Sequence, residues 1–116
     1  MNERALKGVV VDAGHGGSDP GAISGNAYEK DFTLRAAKYI YDRLTQLGIP
    51  AVLTRDSDTS LPKNERIQKV LDFYGADDDV IVVSNHINAG GGEFTYRYII
   101  WLGIKTAVFE WNYRQV

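Results

Sequence analysis

Two short runs of β-branched apolar residues, each bounded by Gly, Asp or Ser, constrain the fold of this chain more than any other feature. The first is Gly8-Val9-Val10-Val11-Asp12 and the second is Asp79-Val80-Ile81-Val82-Val83-Ser84. Runs this short, with no polar residue at alternate positions, read as strands buried on both faces, as in parallel sheets covered by helices. Between them the pattern becomes helical. Leu34, Ala37, Tyr41, Leu44 and Leu47 recur at that spacing and Ile40 widens the stripe. A helix is therefore expected from near Asp31, which can cap it, to Leu47, with Gly48 as the stop. Pro50-Ala51-Val52-Leu53-Thr54 reads as a second strand. Residues 62–74 read as a second helix, with Pro62 in its first turn, Ile67, Val70, Leu71 and Tyr74 along one face, and Gly75 ending it. The order β-α-β-α-β predicts an α/β fold, a mostly parallel sheet flanked by helices with right-handed crossovers.

The chain holds two histidines, and each lies just past one of the apolar runs: His15 in Ala13-Gly14-His15-Gly16-Gly17, His86 in Asn85-His86-Ile87-Asn88-Ala89. In an open α/β sheet the ligand crevice lies outside the carboxyl ends of the strands, so both imidazoles are expected at one edge of one sheet. Catalytic zinc takes three N or O ligands and keeps one position open. Two histidines then need an oxygen partner. Glu29 precedes the first helix, and a helix that follows a strand begins where that strand ends, so His15, Glu29 and His86 are the candidate metal ligands. Taken singly, each has a plainer reading: a solvated loop histidine, or a carboxylate favoured at a helix start. A phosphate loop at Gly14-His15-Gly16-Gly17 is disfavoured, because Asp19-Pro20 follows and no helix opens at the glycines.

Composition removes other classes. A net charge of -2 leaves no basic footprint, so nucleic acid is not an expected partner. The absence of cysteine excludes disulfides and thiolate metal sites. No apolar stretch approaches membrane-spanning length, and the start, Met1-Asn2-Glu3-Arg4-Ala5-Leu6-Lys7, has no signal core. Beyond the glycine break Gly90-Gly91-Gly92, residues 94–101 and 106–111 have strand composition, and the short connection between them allows a hairpin.

The residues from Val9 to Ala22, Val-Val-Val-Asp-Ala-Gly-His-Gly-Gly-Ser-Asp-Pro-Gly-Ala, resemble the opening motif of the zinc-dependent N-acetylmuramoyl-L-alanine amidases of bacterial cell-wall hydrolases and phage endolysins. Glu29-Lys30-Asp31, Leu53-Thr54-Arg55-Asp56, the stretch from Leu61 to Arg66 and Ser84-Asn85-His86-Ile87-Asn88-Ala89 resemble its later motifs, in order. The resemblance implies a single amidase-like domain over residues 1–116 with Zn2+ on His15, Glu29 and His86, acting on peptidoglycan. It implies action at the bacterial cell wall; without a signal peptide, that means export within a longer precursor or release on lysis. After Gly92 the chain is shorter than the family pattern. Ala107-Val108-Phe109-Glu110-Trp111-Asn112-Tyr113 is similar to the family's last strand, which implies Glu110 as catalytic carboxylate. From the residues alone, Glu110 is equally a glutamate of an edge strand. The alternative activity is a zinc-containing peptidoglycan-binding module without catalysis.

Overall fold

The computed structural model describes the backbone of residues 6–90, 93–102 and 106–114, and the side chains of residues 6–87 and 95–102. Its elements run β1 (Gly8–Ala13), β2 (Ile23–Ser24), β3 (Ala27–Tyr28), α1 (Glu29–Gln46), β4 (Ala51–Leu53), α2 (Lys63–Tyr74), β5 (Val80–Gly90), β6 (Glu93–Leu102) and β7 (Thr106–Arg114). Five strands form one sheet in the order β4-β1-β5-β6-β7. β1 pairs parallel with β4 and β5; β6 is antiparallel to β5, and β7 to β6. Four of the five strands thus run one way and β6 alone opposes them. This is the helix-flanked α/β sheet that the apolar runs predict, closed on one side by the expected hairpin.

Side-chain alternation on β1 explains why its run is apolar throughout. Val9, Val11 and Ala13 pack with Ala37 of α1, against Ile40, Leu44, Ile81 and Val83. Val10 faces the other way and packs with Val80, Val82 and Val70 of α2, against Phe73, Tyr74 and Trp101. Burial of one such valine contributes about 1.5 kcal/mol or more. One step further along the strands, the α2-facing row becomes polar: Asp12 lies opposite Ser84 in the register and both are buried. The apolar sheet therefore ends in buried polar groups at the edge where β1 gives way to the His15 loop.

Several boundaries differ from the sequence reading, each for a physical reason. β5 does not stop at Ser84. It continues to Gly90 because β6 pairs with it from Ile81↔Leu102 to Gly90↔Glu93. His86 accordingly lies inside a strand rather than past its end. Asp31 does not cap α1: Tyr28 holds the cap position without a side-chain hydrogen bond, and Glu29 and Asp31 both lie in the first turn. Leu47 is 56 % exposed, one residue past the helix, where Gly48 (φ 74°) turns the chain. On α2, Ile67 is also largely exposed, while Val70 is buried. Of the glycine break, Gly90 ends β5, and Gly91 and Gly92 lie outside the described residues.

Candidate metal centre

The His15 loop is built by an unusual backbone. Gly14 N–H donates to Asn85 O at 3.0 Å, and the chain then reverses through positive φ at His15 (63°), Gly16 (131°) and Gly17 (57°). Histidine is among the few side chains enriched in the left-handed region. Two glycines are required by close approach. A Cβ at Gly14 would lie 2.7 Å from Cε1 of His86, and one at Gly21 would lie 2.8 Å from both Glu29 Oε1 and His15 Cδ2. The loop returns through the β2–β3 hairpin directly into α1, which delivers Glu29.

Glu29 is the centre of the site. Its Oε1 accepts from Ala22 N–H and its Oε2 from Ile87 N–H, both at 2.9 Å. Burial alone pushes this carboxyl up. The His86 ring, the two backbone N–H groups and the His15 charge outweigh it and bring it down to about 2. The group is therefore an anion at neutral pH, as a ligating carboxylate must be. His15 Nε2 lies 3.0 Å and His86 Nδ1 3.6 Å from Glu29 Oε2. The imidazoles meet edge to face, with centroids 5.5 Å apart. One ligand atom from each of the three residues lies within 4.8 Å of the others. Two imidazole nitrogens and one carboxylate oxygen make the donor set of a catalytic zinc site. The sequence reading named these three residues, and the structure brings them together.

The surrounding polar groups had not been assigned roles from the sequence. His15 Nδ1 lies 2.8 Å from Asp19 Oδ2, and His86 Nε2 lies 3.1 Å from Ser84 Oγ. Two guanidinium groups brace the histidine loop. Arg66 donates to Asp12 and to the carbonyls of Ala13, His15 and Leu61. Arg55, 3 % exposed, donates to the carbonyls of Ala13, Gly14, Lys30 and Ser57 and to Thr33 Oγ1. Asp58 and Lys30 clamp the loop tip at Gly17. Arg55→Ala is expected to destabilise the metal-free protein by about 3 kcal/mol, because it removes a buried guanidinium that donates to four carbonyls and to Thr33 Oγ1 at once. Urea denaturation measures this. Arg55→Lys should recover little of it, since an ammonium cannot span that fork of acceptors.

A cavity of about 440 Å³ opens beside the two histidines, walled by Ser18 and Asp19 of the loop and by Ser60, Lys63 and Arg66 at the start of α2. Glu110 is the remaining residue named from the sequence. Its backbone lies within β7 rather than at its end, opposite Ile99, which is in turn opposite Ser84. β7 runs parallel to β5, but β6 lies between them. The Glu110 side chain lies outside the described residues.

Residues 9–101 match the family profile described as N-acetylmuramoyl-L-alanine amidase. The chain belongs to this amidase family. It is 38 % identical over 93 residues to the sporulation-specific N-acetylmuramoyl-L-alanine amidase of Bacillus subtilis, covering 78 % of this chain and 35 % of that protein. It is 42 % identical over 95 residues to the endolysin of Bacillus phage SPP1, covering 78 % and 34 %. Among solved structures it resembles the catalytic domain of the N-acetylmuramoyl-L-alanine amidase CwlV of Bacillus (Paenibacillus) polymyxa var. colistinus. The TM-score is 0.65 at 36 % identity, over 74 % of this chain and 48 % of that one. An N-acetylmuramoyl-L-alanine amidase of Clostridium difficile 630 gives 0.66 at 33 % identity, over 77 % and 47 %. This amidase family member therefore spans about a third of the length of the two named relatives and just under half of the two solved chains, and its family match contains His15, Glu29 and His86. Among the described residues, no helix is long and apolar enough to cross a membrane.

Proposed function

We propose that this chain binds one Zn2+ through His15, Glu29 and His86 and hydrolyses the amide between N-acetylmuramic acid and L-alanine in peptidoglycan at the bacterial cell wall. The observation that supports this best is the convergence of two imidazoles on one buried, ionised carboxylate. When bound, zinc polarises a carbonyl oxygen and brings water within reach of ionisation near neutral pH. Glu29 supplies the negative charge of the site, held in place by the N–H groups of Ala22 and Ile87. The adjoining cavity admits the lactyl-peptide segment, with Lys63 at its wall to meet an anionic group of the stem peptide. The Glu110 carboxylate accepts a proton from water and passes it to the departing amine. Water is added across the C–N bond, giving a lactyl carboxylate and a free L-alanine amine.

Digestion of purified sacculi is expected to release new L-alanine amino groups with no new reducing sugar ends, since among the described residues Asp19 is the one carboxylate lining the cavity, where a glycosidase needs a pair. A rise in reducing ends at constant free amine would contradict an amidase. One observation favours a second reading, a zinc-containing wall-binding module: β6 separates β5 from the strand that carries Glu110. Sacculus binding with zinc present and no amine release would establish that reading.

A further inference from the structure

The cavity beside the histidines does not end at the start of α2. A second cavity of about 380 Å³ continues from it, and Lys63 and Arg66 line both. The topology explains the join. α2 begins at the sheet edge that carries the His15 loop and runs back along the sheet, so Lys63, Ile67 and Val70 descend from that edge on one helix face. Opposite them β5 descends as His86, Ser84 and Val82, which share a face by strand alternation, and Trp101 of β6 pairs with Val82 in the register. From His86 to Val82 the strand spans about 13 Å, the reach of about four extended residues. The lining changes with depth. Asp12, Ser84 and Arg66 stand at the histidine end, and Ile67, Val70, Val82 and Trp101 beyond them. Two of the wall residues are open to an occupant. Ile67 is 46 % exposed although it lies on the same helix face as buried Val70. Lys63 is exposed and, among the described residues, meets no carboxylate, whereas Arg66 beside it is committed to Asp12 and three carbonyls.

We propose that this slot is a peptide subsite, in which Lys63 holds the carboxylate of the residue after L-alanine and the apolar end takes the hydrocarbon side chain of the residue beyond it. Charge and polarity select this occupant. An acidic group meets the free ammonium of Lys63 at the mouth, and a side chain without polar atoms fills the deep end at no desolvation cost. A sugar ring carries hydroxyls all round its rim, and at the depth of Val70, Val82 and Trp101 the side chains offer them no partner. The assignment of this peptide to the stem of peptidoglycan rests on the amidase reading above. It makes the peptide arm, rather than the glycan, the part of the substrate that the α2 side of the centre reads.

Titration of the full chain with acetyl-alanyl-glutamyl-leucine tests this, with the indole N–H of Trp101 followed by 1H–15N correlation. The expected result is a saturable shift of Trp101. Replacing leucine by serine in the peptide should weaken binding about tenfold, the scale for losing an apolar group from a fitted pocket. Replacing glutamate by glutamine should weaken it about threefold, as for an exposed ion pair. Lys63→Gln should abolish the preference for glutamate and keep that for leucine. Ile67→Ser should reduce the preference for leucine and keep that for glutamate; both positions are exposed, so both variants should fold. Binding is read without turnover, so it is separable from the amidase reading: peptide binding with no amine release from sacculi would refute the activity and leave the subsite. No shift of Trp101 in the folded protein, equal affinity for the leucyl and seryl peptides, or an equal shift with N-acetylglucosamine alone would overturn the proposal. A Trp101 shift that follows protein concentration without peptide would also overturn it, by assigning the slot to a second copy of the chain.

Discussion

His86→Ala is expected to lower zinc affinity roughly a thousandfold or more, because one of only three protein ligands is lost from a site whose binding energy is shared among them. The fold should survive. His86 is half-buried, and its backbone pairs with Arg97 in a ladder that the side chain does not support. Glu29 keeps its bonds from Ala22 and Ile87 and its contact with His15 Nε2, so the carboxylate stays in place with one imidazole beside it. Competition with a chelator of known affinity measures the loss, and thermal melting of the metal-free forms separates it from unfolding. The same titration has a signed pH dependence. Imidazole must be neutral to ligate, so protons compete, and zinc occupancy of the parent protein falls as the pH is lowered. Equal zinc affinity in His86→Ala would place the metal elsewhere.

Glu110→Gln is expected to reduce amide hydrolysis about a hundredfold or more with zinc binding nearly intact, the scale for loss of a general base. Glutamine keeps the shape and removes the basic oxygen. Two features of β7 bear on this. Its direction is the required one, parallel to β5, because two antiparallel pairings in succession restore the original sense. Its place in the sheet is one strand further out than adjacency to β5 would give, with Glu110 aligned to Ile99 and Ser84. Turnover on sacculi, measured beside zinc stoichiometry, decides the matter. Unchanged turnover would assign proton transfer to another group.

The parts of this molecule legible in the sequence are those written in short segments. Val9 to Val11 and Val80 to Val83 could be read as buried strands because both faces of each are covered by helices whose own apolar stripes are local. His15, Glu29 and His86 could be grouped because parallel strands and the helix after the first of them deliver side chains to one edge. What was not legible depends on pairing across the fold. The length of β5 is set by β6, so no local signal marks where it ends. Asp12, Thr54 and Ser84 form one buried chain of hydrogen bonds from three separate strands or strand ends. Arg55 and Arg66 each reach about the same loop from later segments. A signal for them did exist. Asp12 and Ser84 end apolar runs at positions whose alternation places them on a covered face, and a buried carboxylate needs donors. Polar residues directly after Leu53 were the nearest such donors.

The central claim, a zinc centre on His15, Glu29 and His86, is tested most directly by metal analysis of protein purified without chelator, combined with X-ray absorption at the zinc edge. The expected result is one zinc per folded chain, with two imidazole nitrogens and carboxylate oxygen at about 2.0–2.2 Å. Folded protein that takes up no zinc, or zinc whose shell contains no imidazole, would contradict it.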